Sequence, residues 1–209
     1  MSSLHKTLMF VMFLQIMSWN RLGAAFYTEE YSWRDYDNQI PYDAFVAGRD
    51  HNSENLYFGQ TIHEDKLIPG KIVPSAKKLF FEYFSKEYAV DVNIKILCTP
   101  NPQRFQWVPT NSRNILRIKD RILIHGGYEP TVFTFLGRVN NDGVSEIGKI
   151  ICLLDSCYGL YFSNNGTTRL IRKGFEILTY NDSLKDLVVS VVVSRQEQSA
   201  RPVIVNIYK

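Results

Sequence analysis

Residues 47–74 read AGRDHNSENLYFGQTIHEDKLIPGKIVP, and the interpretation of the whole chain rests on this stretch. Its apolar and aromatic runs alternate with polar turns, which predicts short β-strands. A weaker copy, HGGYEPTVFTFLGRVNNDGVSEIGKIICL, occupies residues 125–153. Three positions recur 78 residues further on, where Asp50, Gly59 and Lys71 align with Tyr128, Gly137 and Lys149. The shared offset indicates a tandem duplication.

The two copies are predicted to extend over residues 31–98 and 105–179. Each opens on a tryptophan, Trp33 or Trp107. Because large aromatic residues that recur at one place in each repeat usually belong to the core, we predict core positions for both. Residues 180–209 carry two β-branched runs around a polar centre and are predicted to form a C-terminal strand extension. The sequence therefore predicts an all-β fold.

Composition and charge set limits on the partners of the chain. The 209 residues are 45% hydrophobic and 13% aromatic, which suits a packed globular core. The net charge is +3, but Lys6 and Arg21 fall in the first 25 residues, which contain no acid, so the remainder carries +1. Such a balance gives no electrostatic footprint for nucleic acid or an anionic membrane. Nucleic acid is therefore not expected as a partner.

Residues 1–25 have the three parts of a secretory signal peptide. A basic start precedes an apolar run over residues 8–17, and small residues follow at 23–25. The run is shorter than the ~20 residues that a membrane-spanning helix needs. We predict a secreted protein, in which the sequons at Asn165 and Asn181 would be glycosylation sites. The alternative is a cytoplasmic protein with an uncleaved leader, which the charged Arg21 near the predicted cleavage site leaves open.

The three cysteines leave two states open for Cys152. Cys98, Cys152 and Cys157 cannot all pair within one chain, and the absence of a CxxC step argues against a metal site. Cys152 lies in an apolar run, so we predict a buried free thiol there. A bridge between Cys152 and Cys157 that closes a turn is the alternative.

Several motifs of the chain together resemble one known family. They are Trp-Val-Pro at 107–109, a glycine turn ending in Asp at 47–50, Leu-Tyr-Phe-Gly at 56–59, Pro-Gly-Lys-Ile at 69–72 and Phe-Glu-Ile-Leu at 175–178. This combination resembles the DM-nine repeat family, whose repeats also form the N-terminal half of natterin-like proteins. The resemblance covers about residues 31–180.

The resemblance implies two antiparallel repeats that intertwine about a pseudo-two-fold axis. It also implies mannose-type sugar binding without catalysis or a cofactor, through the glycine-turn Asp and the Pro-Gly-Lys lysine. Carried over to this chain, these residues are Asp50 and Lys71. In the second repeat the corresponding candidates are Tyr128, which replaces the Asp, and Lys149, which lacks the preceding proline.

An Asp and a Lys together are suited to hydrogen-bonding a pair of sugar hydroxyls. A carboxylate accepts hydrogen bonds and an ammonium donates them, whereas each hydroxyl does both. One of Tyr57, Phe58 or Tyr128 is expected to cover the apolar face of the ring. Counting residues along the predicted strands leaves Asp50 and Lys71 several residues apart. Sheet curvature or interlocking of the repeats must therefore bring them together.

Two other functions are alternatives to that of a lectin. An enzyme is not expected, because His51, His63 and His125 have no partner at a spacing typical of a triad or metal site. A methyltransferase would need an alternating βαβ pattern with a glycine-rich loop, and the chain has neither. The remaining alternative is a non-catalytic interaction protein whose sugar site has decayed. For the lectin we expect glycans as partners, homo-oligomers as one way of linking weak sites, and innate immunity as one candidate process.

Overall fold

The computed structural model describes residues 30–181, and this part of the chain folds almost entirely into β-strands. The predicted all-β class is confirmed. The signal peptide predicted at 1–25 lies outside the described residues, as does the strand extension beyond residue 181. Between residues 30 and 181, three short 3-10 helices connect strands, at Pro74–Ala76, Pro102–Arg104 and Ile115–Arg117.

Fifteen strands of this part of the chain join in one branched sheet. Seven belong to the first repeat: β1 Ser32–Tyr36, β2 Val46–Arg49, β3 Asn55–His63, β4 Lys66–Val73, β5 Lys78–Tyr83, β6 Lys86–Val90 and β7 Ile94–Cys98. Eight belong to the second: β8 Phe105–Asn111, β9 Ile122–Leu123, β10 His125–Glu129, β11 Val132–Asn141, β12 Val144–Cys152, β13 Cys157–Asn164, β14 Thr167–Ile171 and β15 Lys173–Tyr180. The long path through the sheet runs β1-β7-β3-β4-β10-β11-β12-β13-β14, so the repeats join between β4 and β10.

The two repeats pair their strands in the same register. In the β3–β4 hairpin Gly59 lies opposite Gly70, as Gly137 lies opposite Gly148 in the β11–β12 hairpin. Equivalent strands close each repeat, because β1 pairs with β7 and β8 pairs with β15, with the opening tryptophan opposite a leucine in both. The structure thus confirms two antiparallel tandem repeats related by a pseudo-two-fold axis.

Apolar side chains from both repeats meet in a central cluster. Its fully buried members include Leu56 and Phe58 from the first repeat and Leu136 and Leu178 from the second. Both tryptophans pack, partly buried, against this cluster. Each repeat has a further cluster of its own around its outer strands. The shared core is what intertwines the two copies.

Two polar side chains at equivalent positions also tie the repeats together. Gln60 of β3 donates to the Gly126 carbonyl of β10, at 2.5 Å. Arg138, which occupies the corresponding place in β11, donates to the Ala47 carbonyl of β2 at 3.0 Å. Each repeat therefore hydrogen-bonds the glycine turn of the other.

The cysteines correct one prediction. Cys152 is buried as expected, but it is not a free thiol: it forms a disulfide with Cys157, directly opposite it across the β12–β13 hairpin. The alternative pairing is therefore the one observed. Cys98 is a buried free thiol, and burial, followed by the nearby Asp43 carboxylate, raises its pKa to about 11.

Among residues 30–181, no helix has the length and apolar character needed to cross a membrane.

Candidate functional site

A pocket of about 270 Å³ lies where the two repeats face each other. One wall comes from the β2–β3 turn, β4 and β5 of the first repeat, and the other from the start of β12 and the β13–β14 turn of the second. Asp50 and Lys71 both line it. The lining of this pocket thus includes both residues, which counting along the strands alone leaves several residues apart.

Asp50 organises the turn between β2 and β3. Its Oδ1 accepts the backbone N–H groups of Asn52 (2.9 Å) and Glu54 (2.8 Å). Its own N–H donates to the Glu54 carbonyl at 3.0 Å, and Ser53 donates back to the Asp50 carbonyl at 3.0 Å. Such Asx-type bonding fixes a loop with little side-chain freedom. The carboxylate therefore holds the rim of the pocket in one conformation.

Lys71 reaches across the pocket from β4. The adjacent Gly70 explains how the lysine strand lies so close to β5, because a Cβ at that position would collide with the Phe80 carbonyl. The Lys71 side chain is 12% exposed, and its Nζ donates to Glu146 Oε2 at 3.2 Å and to the Ser163 carbonyl at 3.4 Å. Both acceptors belong to the second repeat, so this ammonium is held at the boundary between the copies.

The aromatic residue of the pocket is Phe80, which lies directly opposite Lys71 across the β4–β5 pair. The three aromatic candidates from the sequence lie elsewhere. Phe58 is fully buried in the shared core and Tyr57 is 7% exposed in the first-repeat cluster. Tyr128 is 64% exposed on β10, opposite Leu67 and Phe133 and away from the pocket lining.

The pocket has a negative charge. Four carboxylates line it and one lysine faces them: Asp50, Glu54, Glu87 and Glu146 against Lys71. The two carboxylate oxygens of Glu54 accept the N–H and the hydroxyl of Ser75, both at 2.6 Å, and Glu87 accepts the N–H of Gly166. An anionic ligand would be repelled by this lining, whereas a neutral polyol would meet many acceptors.

The equivalent lysine of the second repeat is enclosed. Lys149 is 2% exposed, and its Nζ lies 2.8 Å from Glu129 Oε1 and 3.6 Å from Glu82 Oε2. Its Nζ also lies 5.7 Å from the centre of the Tyr83 ring. Glu129 follows Tyr128 in β10, while Glu82 and Tyr83 come from the first repeat. Lys149 and Tyr128 therefore do not converge on an open pocket as Asp50 and Lys71 do.

The residue opposite Lys149 reflects this enclosure. Tyr161 pairs with Lys149 across β12 and β13, as Phe80 pairs with Lys71. Burial, and then the nearby Glu82 carboxylate, raise the pKa of the Tyr161 phenol. Both effects disfavour a charged phenolate beside the Lys149 cluster.

Gly48 allows β2 to approach the second repeat beside the pocket. A Cβ at this position would overlap the buried Ser145 side chain at the start of β12. We expect Gly48→Ala to lower the free energy of unfolding by about 1–3 kcal/mol, the usual cost of overpacking. Chemical denaturation measures this, and adding Ser145→Gly should recover part of the loss. Equal stability of Gly48→Ala and the native protein would contradict the close approach.

The two predicted glycosylation sites differ in their setting. Asn165 lies in the β13–β14 turn with a φ of 52° and lines the rim of the pocket. Asn181 follows β15 at the end of the described residues, and its N–H donates to the Arg104 carbonyl at 2.9 Å.

A shallow depression of about 630 Å³ lies over residues 109–111 and the segment around Arg117. It is more open than the pocket between the repeats and contains none of the predicted site residues. Within residues 30–181 no group of three or more His, Cys, Asp or Glu side chains is arranged to hold a metal ion.

A solved structure of another protein has a similar fold. The structure is similar to the crystal structure of the nematode sperm cell motility protein MFP2B, with a TM-score of 0.50 and 12% sequence identity. The match covers 74% of this chain and 45% of that one, so the chain spans less than half the length of that protein. A likeness at this identity concerns the fold alone. No curated protein matches the sequence significantly.

The sequence model of the DM9 repeat matches residues 22–90, which include the glycine-turn Asp50, the aromatic-glycine strand β3 and the lysine strand β4. This match covers 69 of the 209 residues, about a third of the chain, and confirms the resemblance to the family that the sequence motifs indicate.

Proposed function

We propose that this protein is a lectin-like recognition protein that binds a neutral, mannose-type sugar in the pocket between its repeats and carries out no reaction on it. One observation carries the proposal: Lys71 and Asp50, which the family resemblance singles out, line one pocket beside the Phe80 ring. The pocket volume is close to the lower end of the range for small-molecule sites, about 300 Å³.

The lining suits the chemistry of a hexose. Hydroxyl groups accept from an ammonium and donate to carboxylates, and hydrogen bonds to charged partners are roughly twice as strong as neutral ones. The Phe80 ring offers an apolar surface to the C–H face of the sugar. Because carboxylates outnumber the lysine, a neutral sugar is favoured over an acidic one.

Affinity for a single sugar should be weak, with a Kd on the order of 0.1–1 mM, or about −4 to −5.5 kcal/mol. Recognition of a glycan-bearing surface would then depend on several linked sites. A homo-oligomer of this chain would provide such linkage, because each copy would contribute its pocket between the repeats.

Three observations support an extracellular location. The Cys152–Cys157 disulfide is typical of proteins in oxidising compartments. The leader at 1–25 has the composition of a signal peptide, and the Asn165 sequon lies in an exposed turn. The extracellular space is also where an immune-type recognition protein would meet foreign glycans.

A glycan array with the secreted chain tests the proposal. The native protein should bind mannose-type glycans, and Lys71→Ala should reduce the signal about tenfold or more, since a charge-assisted hydrogen bond is lost. Lys95→Ala is the matched control: this lysine is also ion-paired, to Asp35 at 2.7 Å, but lies on the surface away from the pocket. Equal signals from all three proteins would reject the assigned pocket.

A second candidate is an interaction protein whose sugar site has decayed. The enclosure of Lys149 favours it for the second repeat. For the first repeat the array decides, since a decayed site should give no signal above background from the native protein either.

A further inference from the structure

We propose that Glu146, which the second repeat contributes, is the carboxylate that binds the sugar together with Lys71, and that Asp50 is a positioning residue. This inference rests on the proposed function of the pocket. The sequence motifs place both binding residues in the first repeat, whereas the geometry points to a site shared between the two copies.

Glu146 is placed to act as an acceptor inside the pocket. Its side chain is 26% exposed, and Oε2 lies 3.2 Å from Lys71 Nζ. Its other oxygen, Oε1, accepts from the Asn164 side-chain amide. The carboxylate is therefore fixed by two partners at the wall of the pocket and still reaches its open space.

The ion pair with Glu146 presents a donor and an acceptor side by side. Neighbouring hydroxyls of a hexose need the same arrangement, because one accepts from the ammonium while the other donates to the carboxylate. Since Lys71 is already held in this position by Glu146 and the Ser163 carbonyl, little side-chain freedom is lost when a sugar binds.

Asp50 has a different task. Its Oδ1 already accepts two backbone N–H groups and so closes the β2–β3 turn. Glu54, which that turn presents, in turn anchors Ser75 on the same rim. An asparagine has the same acceptor oxygen and supports the same turn, so the loop needs the carbonyl-type oxygen rather than the charge.

The first repeat has no counterpart of this carboxylate. The position equivalent to Glu146, 78 residues earlier, is Ile68, which is fully buried in the first-repeat core. A carboxylate at this strand position therefore exists on one side of the pseudo-two-fold axis, the side on which the pocket is open, whereas Lys149 is enclosed by Glu129 and Glu82 from other positions. This asymmetry is expected if Glu146 belongs to the binding site.

Titration of the full secreted chain with methyl α-mannoside, followed by NMR, tests the assignment. Glu146→Gln should weaken binding about tenfold or more, because it removes a charge-assisted acceptor while keeping the side-chain shape. Asp50→Asn should bind within about twofold of the native protein, since its turn is preserved. Asp35→Asn is the control for net charge, because this exposed carboxylate pairs with Lys95 on the surface and does not line the pocket, and it too should bind within about twofold.

The outcomes separate this inference from the proposed function. If Asp50→Asn loses affinity while Glu146→Gln does not, or if all three variants lose it equally, the role assigned to Glu146 is overturned and the pocket stands. If the native chain shows no shift with the mannoside, the proposed function falls, and this inference with it. Thermal unfolding of each variant confirms that a lost signal does not come from a lost fold.

Discussion

Replacing Lys149 by methionine is expected to lower the free energy of unfolding by about 3–5 kcal/mol, the usual cost of breaking a buried ion pair from one side. Methionine fills a similar volume but carries no charge. Glu82 and Glu129, which are 6% and 12% exposed, would then remain buried without the ammonium that pairs with both. Because Glu82 comes from the first repeat and Lys149 from the second, the loss should appear as reduced cooperativity between the copies.

Urea denaturation of the purified chain measures this effect. The triple variant Lys149→Met, Glu82→Gln, Glu129→Gln should recover much of the loss, since no buried charge is then left alone. Lys95→Ala, which breaks an exposed pair with Asp35, should cost less than about 1 kcal/mol. A single Lys149→Met variant as stable as the Lys95→Ala protein would show that the cluster is solvated and would remove the explanation for the closed second site.

Arg138→Ala is expected to destabilise the chain by about 2–4 kcal/mol, since it removes three interactions at once. The guanidinium carbon lies 4.1 Å from the centre of the Trp107 ring. Its Nε lies 2.7 Å from Glu176 Oε2, with both side chains mostly buried, and Nη1 donates to the Ala47 carbonyl. The last bond crosses between the repeats, so the substitution should loosen the junction that builds the pocket.

Two variants make the Arg138 result specific. Arg138→Lys keeps the charge but loses the planar group that stacks on Trp107, so an intermediate loss is expected. Arg169→Ala, at an exposed position on β14, should change stability by less than about 0.5 kcal/mol. Thermal and urea unfolding should rank the three proteins in this order, and a neutral Arg138→Ala variant would contradict a structural role for the stacked arginine.

The hairpin that carries Lys71 could be predicted from the sequence because everything that specifies it is local. The polar turn at Glu64 and Asp65 adopts positive φ values of 48° and 61°, which joins β3 directly to β4. The aligned residues then take equal registers, with Lys71 opposite Phe58 and Lys149 opposite Leu136. A fixed offset between two copies of such a hairpin can therefore be recognised from the sequence alone.

The opposite wall of the pocket could not be predicted in this way. An offset between copies shows which residues are equivalent, but it does not show which faces of the copies touch. Glu146 reaches Lys71 only through the packing of β12 beside β2, which Gly48 allows. Phe80 did carry a usable signal, since it lies in the strand after Pro-Gly-Lys-Ile and pairs with Lys71. Tyr57 and Phe58, two of the candidates for covering the apolar face of the sugar ring, do not line the pocket because their side chains are buried in apolar clusters.

Contacts with other strands also determine the states of Lys149 and Cys152. Lys149 sits at the position aligned with Lys71, yet Glu129 and Glu82 enclose it, and Glu82 comes from the other copy. The apolar run around Cys152 correctly indicated burial. The state of its thiol was decided instead by the β12–β13 turn, which places Cys157 directly opposite.

A crystal structure of the mature chain soaked with methyl α-mannoside is the most direct measurement of the central claim. The account predicts sugar density between Lys71, Glu146 and Phe80, with two adjacent hydroxyls on the ammonium and the carboxylate, and the Lys149 cluster unchanged. Sugar bound elsewhere on the molecule, or an empty pocket at a mannoside concentration that gives binding in solution, would contradict it.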